Sequence, residues 1–367
     1  MFARPEASRS APERASSAGL NTLSLHLLDR LPDAAHWPAP PPDVEALPTQ
    51  TAAWTLARAG LLAPQEQPHW LAAYDAGGLA ALAPLVRGRW LRELPLLYEP
   101  ADFAWRSPDA LLALTRALAR QGRPLVLERV PEDSPTVTAL RQAFAGRGHV
   151  RIRPAMPTPM ITLDASWSEP EGAFSARRRA DFRRYERRAA RRGSLEYLLL
   201  APDDDASLSA AVAEAFAVES RSWKAWAGTA ITSDPRLAGF FEHFMREAAA
   251  AGVLRIALLR LGGRPAAMQI ALQWRQRFWL FKIAHDQAFD DCSPGQLLMR
   301  YTLLHAARSG LASYEFMGLM DDWTRLWTQE MRRHVRIVAL PYSVTTAVVL
   351  ARRAARAAVD RVRRQRG

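Results

Sequence analysis

Cysteine occurs once in the 367 residues, at Cys292. A single thiol excludes an internal disulfide framework and any cysteine-rich zinc site, and a reducing cytoplasm is the simplest address for such a chain. Lysine is nearly as scarce: Lys224 and Lys282 are the only two among 49 basic residues, and Asn21 is the lone asparagine. That pattern reads as the coding bias of a GC-rich genome, which discounts the arginines and the net charge of +12 as signs of function. It also singles out the two lysines, because Arg and Lys differ in geometry and in how readily their pKa moves. No uncharged apolar run reaches the roughly eighteen residues that a membrane-crossing helix requires. The N-terminus, rich in Ala, Ser, Pro and Arg, lacks the apolar stretch of a secretory signal, and residues 1–20 read as a disordered leader.

What is present is core. Apolar residues make up 49% of the chain, enough for two cores of ordinary size. After a Pro-rich stretch, Ala46–Ala59 reads as a helix. His69–Asp75 and Leu79–Arg87 read as a hairpin about Gly77-Gly78, since paired glycines supply positive φ. Strand Arg89–Leu97, a helix opened by Ser107-Pro108, strand Pro124–Val130, helix Ser134–Gly146 and strands His149–Pro154 and Pro159–Leu163 follow. An arginine-rich helix, Phe174–Arg192, stops at Gly193, and strand Leu195–Leu200 comes next. Helices Ala206–Trp223 and Pro235–Ala251 precede strands Val253–Leu261, Pro265–Trp274 and Arg277–His285. The turn Ser293-Pro294-Gly295 then opens a helix to Ser309, followed by strand Ala312–Met317, a tryptophan-rich segment Asp321–Trp327 and strand His334–Leu340.

Both halves thus run hairpin, strand, helix opened by Ser-Pro, strand. This implies an internal duplication and divides the chain into a mixed α/β domain over 21–165, a basic helix and connecting strand over 166–204, a second domain over 205–341 and a basic C-terminal helix over 342–367. Only the second Ser-Pro turn carries glycine. A helix N-terminus offers free N–H groups and the positive end of the dipole to phosphate. Ser293, Pro294 and Gly295 add no negative charge, proline starts a helix well, and glycine lets a ligand approach the backbone. An ordinary capped helix start would look the same.

Several stretches together resemble the acyltransferases of the cellulose-biosynthesis (CelD/BcsL) type, a group in the acetyltransferase (GNAT) superfamily related to the Fem peptidoglycan aminoacyltransferases. They are Arg177-Arg178-Arg179 through Arg188, Glu219-Ser220-Arg221-Ser222-Trp223-Lys224 with Gly228-Thr229, Phe281-Lys282-Ile283-Ala284-His285-Asp286, Ser293-Pro294-Gly295-Gln296-Leu297-Leu298, Tyr314-Glu315-Phe316-Met317-Gly318 and Asp322-Trp323-Thr324-Arg325-Leu326-Trp327. The chain departs from the family pattern at His285 and at Leu319-Met320. The resemblance implies an α+β architecture of tandem GNAT-like folds, the first copy degenerate. Acyl-CoA, most simply acetyl-CoA, would lie between the strands ending at His285 and Met317, its pyrophosphate on the backbone of Ser293, Pro294, Gly295, Gln296 and Leu297. No metal and no covalent enzyme intermediate are expected.

Acyl transfer to an amine needs a general base and a donor for the oxyanion. Glu219, Lys282 and Asp286 are the expected catalytic residues; each has a bland alternative, a solvated helix carboxylate for Glu219 and a turn cap for Asp286. Lys282 stands in an apolar strand, where an ammonium needs a partner, and Glu219 is the expected one. Trp223, Lys224, His285, Asp322, Trp323 and Trp327 are expected around the acceptor, a small molecule or a glycan or envelope precursor; aromatic rings suit sugars but also fill cores. A Fem-type reading, with aminoacyl-tRNA as donor gripped by the basic helix, is the first alternative, and a non-catalytic envelope scaffold is the second. The C-terminal Val344–Arg366 run fits either an anionic membrane surface or a packed terminal helix with a solvated face.

Overall fold

The computed structural model describes residues 23–94, 99–172, 174–222 and 231–352; the expected leader, Trp223, Lys224 and the end of the C-terminal run lie outside these. The first half contains β1 (Ser24–Leu28), α1 (Ala52–Ala59), β2 (Gln67–Asp75), β3 (Gly78–Arg87), β4 (Leu91–Glu93), β5 (Ala104–Trp105), α2 (Pro108–Arg120), β6 (Leu125–Pro131), α3 (Pro135–Phe144), β7 (Gly148–Pro154) and β8 (Thr158–Thr162). Then come α4 (Ala176–Arg192), β9 (Leu195–Leu200), α5 (Asp205–Ser220), α6 (Pro235–Ala250), β10 (Leu254–Leu261), β11 (Arg264–Trp274), β12 (Arg277–His285), α7 (Pro294–Arg308), β13 (Ser313–Phe316), α8 (Asp322–Arg325), β14 (Met331–Arg332) and β15 (His334–Pro341).

Local chemistry explains most boundaries. Ser107 accepts from the Ala110 N–H and Pro108 occupies the first turn of α2, whose Ala110, Leu111, Leu114 and Leu118 form the buried stripe. The β11–β12 hairpin turns on Arg275 and Gln276, both at positive φ (49° and 59°), the backbone that a two-residue hairpin loop requires. Two expected elements shrink. Pro48 confines the start of the expected Ala46–Ala59 helix to a 3-10 turn, and α1 begins only after Thr51 caps it. In the described part of the expected Arg89–Leu97 strand, Leu91–Glu93 pairs.

The two sheets carry the same strand plan. One runs β1-β2-β3-β4-β6-β15-β7, with β5 on β3; the other, read from its far edge, runs β9-β10-β11-β12-β13-β8-β14. In each, a helix opened by Ser-Pro carries the chain from the fourth strand to a parallel fifth, α2 between β4 and β6 and α7 between β12 and β13. The sixth place is exchanged. β8, from the first half, pairs antiparallel with β13, and β15, from the second, pairs with β6 and β7. The reading by alternation assigned each of these strands to the half that holds it in sequence. Alternation reports that a strand is half-buried, not which sheet buries it. A further apolar seam joins the halves where Trp54 of α1 packs edge-on against Phe240 and Phe244 of α6.

Helix α4 does not stand between the sheets. It buries Phe182 and Ala189 in the second core, and Glu186 meets Arg300 of α7 at 2.6 Å. None of the described helices is long and apolar enough to cross a membrane.

Candidate functional site at the parting of two strands

β12 and β13 run parallel from Arg277 and Ser313 to Leu280 and Phe316, and the Met317 N–H still reaches the Leu280 carbonyl at 3.1 Å. Beyond that point β12 continues to His285 while β13 has ended, so the sheet opens. A cleft of about 890 Å³ occupies the opening, the size range of small-molecule and cofactor sites.

A bulge aims the side chains around it. Between β11 and β12 the register slips so that Ile270 faces Lys282 and Ala271 faces Leu280, leaving Phe281 as the extra residue. Leu280 and Ile283 pack into the core beneath α7, whereas Trp279, Phe281 and Ala284 pack into the core beneath α5 and α6. The extra residue therefore turns Lys282 to the α5–α6 face, where its Nζ lies 3.8 Å from Glu219 Oε1 and 5.2 Å from the centre of the Phe241 ring. Glu219 has no exposed surface. Its Oε2 accepts the Ile231 N–H at 2.8 Å, while its Oε1 accepts no hydrogen bond among the described residues and faces the ammonium. Of the expected catalytic residues, the fold brings these two together.

Asp286 is used otherwise. It is 3% exposed, accepts the Ala288 N–H at 2.9 Å to cap the turn Gln287–Cys292, and meets Arg221 Nε at 2.6 Å. It does not line the cleft. Cys292 is buried, and burial pushes its thiol up, with Asp291 adding to the effect.

The N-terminus of α7 forms the opposite wall through Ser293, Gly295 and Gln296. Ser293 is left-handed (φ 47°) and its hydroxyl makes no cap, at a cost of about 1 kcal/mol for the conformation. Its counterpart Ser107 is extended and plugs the N-terminus of α2 with its own oxygen. Pro294 has no N–H, Ser293 donates to the Asp290 carbonyl, and Gln296 and Leu297 both donate to the Ser293 carbonyl at 3.0 and 3.3 Å. Gly295 therefore carries the one N–H of this turn with no backbone acceptor among the described residues. The expected five-residue cradle narrows to it, and Leu297 is core.

Sequence reasoning missed other residues of the cleft. Asp290 Oδ1 bonds His285 Nε2 at 2.7 Å, so a carboxylate stands beside the turn where none was expected. Gln269 and Met299 line the floor, and the Gln269 Oε1 accepts from the Thr302 hydroxyl at 2.9 Å. Glu99 reaches the same cleft from the first half. Behind it lies Arg58, 2% exposed, whose guanidinium is lowered to about 10 by burial against the pull of Glu99 and Glu93. A long-range contact of this kind leaves no mark in a local pattern.

The expected acceptor residues divide. His285 and Trp323 line the cleft, Trp323 packing edge-on to Phe316 at 5.6 Å. Asp322 is fully exposed and paired with Arg325. Trp327 is core: Phe174 and Phe182 flank its ring, and the Arg178 guanidinium sits 4.2 Å from its centre. Among the described residues no group of three His, Cys, Asp or Glu side chains is gathered as a metal site would need.

Residues 176–325 match the model of the acetyltransferase (GNAT) domain, so the strands, the parting and the α7 turn belong to a GNAT-like domain. No curated protein matches the sequence. FemX is similar in fold, with a TM-score of 0.53 and 12% identity over 81% of this chain and 92% of that one. So is the C-terminal domain described as that of a lysylphosphatidylglycerol synthetase from Agrobacterium fabrum, with a TM-score of 0.50 and 14% identity over 83% of this chain and 91% of that one.

Proposed function

We propose that the cleft transfers an acyl group from an acyl-CoA thioester, most simply acetyl-CoA, to an amine or hydroxyl of a polar acceptor such as a glycan or envelope precursor. The observation that carries this reading is the cleft itself. It opens through the sheet, with the uncapped α7 turn on one wall and the Lys282–Glu219 pair on the α5–α6 face. A pyrophosphate on the Gly295 N–H would leave the thioester running along the gap between β12 and β13. The acceptor's lone pair attacks the carbonyl carbon, the C–S bond breaks with its electron pair on sulfur, and the acceptor's proton passes through a base to the departing thiolate. One group of the cleft suits the work, whereas His285, its Nδ1 3.7 Å from where a Gly295 Cβ would stand, borders the pyrophosphate end. The Lys282 ammonium, held by a carboxylate too distant to occupy its N–H donors, can stabilise the oxyanion.

A thermal-shift screen against CoA and acetyl-, succinyl- and longer acyl-CoA tests the reading, since a ligand at about a hundred times its Kd adds roughly 2.7 kcal/mol of stability. No shift with any thioester would favour the non-catalytic scaffold.

The aminoacyl-tRNA alternative draws on α4, where Arg177, Arg183, Arg187 and Arg191 are exposed and form no ion pair among the described residues. Phosphate contacts by such a row would give tRNA binding a steep salt slope. Salt-insensitive or absent binding sets that reading aside.

A further inference from the structure

The chain leaves β15 through Tyr342 and Ser343 into a helix described over 344–352. Thr346 and Val349 are its anchors, 6% and 5% exposed. Its other large apolar side chains are exposed: Tyr342 by 76%, Val344 by 82%, Val348 by 44% and Leu350 by 42%. Val344 and Val348 are four residues apart and share a face of the helix. Four of the seven large hydrophobic side chains that the described surface exposes thus fall within one short stretch. Of these, Val344 and Val348 stand side by side on the exposed face, where paired apolar side chains favour a contact.

The rim is cationic. The Tyr342 N–H donates to the carbonyl of Arg147, and the Ser343 hydroxyl donates to the carbonyl of Gly122, which Arg120 and Arg123 flank. Arg352 ends the described helix. None of these four arginines forms an ion pair among the described residues. The sequence beyond adds Arg353, Arg356, Arg361, Arg363, Arg364 and Arg366 against the single acid Asp360. A second copy of this chain would bring the same positive rim to the contact and be repelled, so the occupant must be both apolar and anionic.

We infer that this helix face docks on the surface of an anionic lipid bilayer. Val344 and Val348, on the face away from the anchors Thr346 and Val349, would enter the acyl boundary, Tyr342 would lie at headgroup depth, and the arginines would meet lipid phosphates. The helix lies on the bilayer rather than crossing it, and the inference is independent of the chemistry of the cleft.

Flotation of the full chain with vesicles tests it, comparing phosphatidylcholine alone with phosphatidylcholine containing about one third phosphatidylglycerol. The chain should float with the anionic vesicles, less so as salt rises, and not with phosphatidylcholine alone. The double variant V344E/V348E, whose changes are at the surface, should bind about tenfold more weakly or worse. R120E and R147E should each lose about fivefold or more at low salt. Leu27→Glu, at an exposed apolar residue in β1, should bind as the unchanged protein does. Equal flotation with both vesicle types, or unchanged binding by V344E/V348E, overturns the assignment. So does equal weakening by Leu27→Glu, or sedimentation showing a dimer that V344E/V348E abolishes.

Discussion

Lys282 Nζ lies 3.8 Å from Oε1 of Glu219, a carboxylate with no exposed surface. Neither residue can lose the other cheaply, because each would then be a desolvated charge without a counter-ion. Glu219→Ala should lower stability by about 3 kcal/mol, as measured by denaturant unfolding. A loss well below 1 kcal/mol would mean that water already shields the ammonium.

Lys282→Met keeps the stem of the side chain and removes only the charge. Acyl transfer should slow by about a hundredfold while CoA affinity stays within about twofold. Single-turnover kinetics alongside calorimetry separates the two. Equal losses in both would assign Lys282 to donor binding instead.

Gly295→Glu should abolish CoA binding without unfolding the protein. A Cβ at Gly295 finds its nearest neighbour, His285 Nδ1, at 3.7 Å, so the helix start accommodates it. The carboxylate, however, would stand where the N–H meets phosphate. Unchanged affinity by calorimetry would reduce the turn to a helix start.

The first half should lose stability as pH rises. Burial pushes the Glu93 carboxyl up to about 7 and that of Asp102 up to about 6. The protonated forms therefore contribute fully below pH 4.5 and 3.8, their ordinary values, and the contribution fades as pH climbs through 7 and 6. His334 acts in the opposite sense: burial, with Arg129 and Arg332 beside it, lowers it to about 3, so its contribution is present above 6.5 and fades as pH falls. Glu93→Gln should gain about 2 kcal/mol on the unchanged protein between pH 5 and 8. Parallel pH–stability curves for the two would show that Glu93 does not titrate in this range.

The sequence by itself determined the local elements and the character of the second half. Hairpins, Ser-Pro helix starts and apolar alternation are written in neighbouring residues, so β10, β11, β12 and α7 emerge within a residue or two of where they stand. The lone lysine in an apolar strand likewise demanded a carboxylate partner, Glu219 or otherwise Asp286, and the fold supplies Glu219. Tertiary structure alone decided where that partner's other oxygen points, which sheet receives β8 and β15, and that Asp286 caps a turn outside the cleft. It also decided that Trp327 is core and that Glu99 and Asp290 border the cleft. The reason is physical. Periodicity records that a side chain is buried, but the neighbour burying it is set by strand exchange and by one bulged residue at Phe281. Those act across distances in sequence that no local pattern spans.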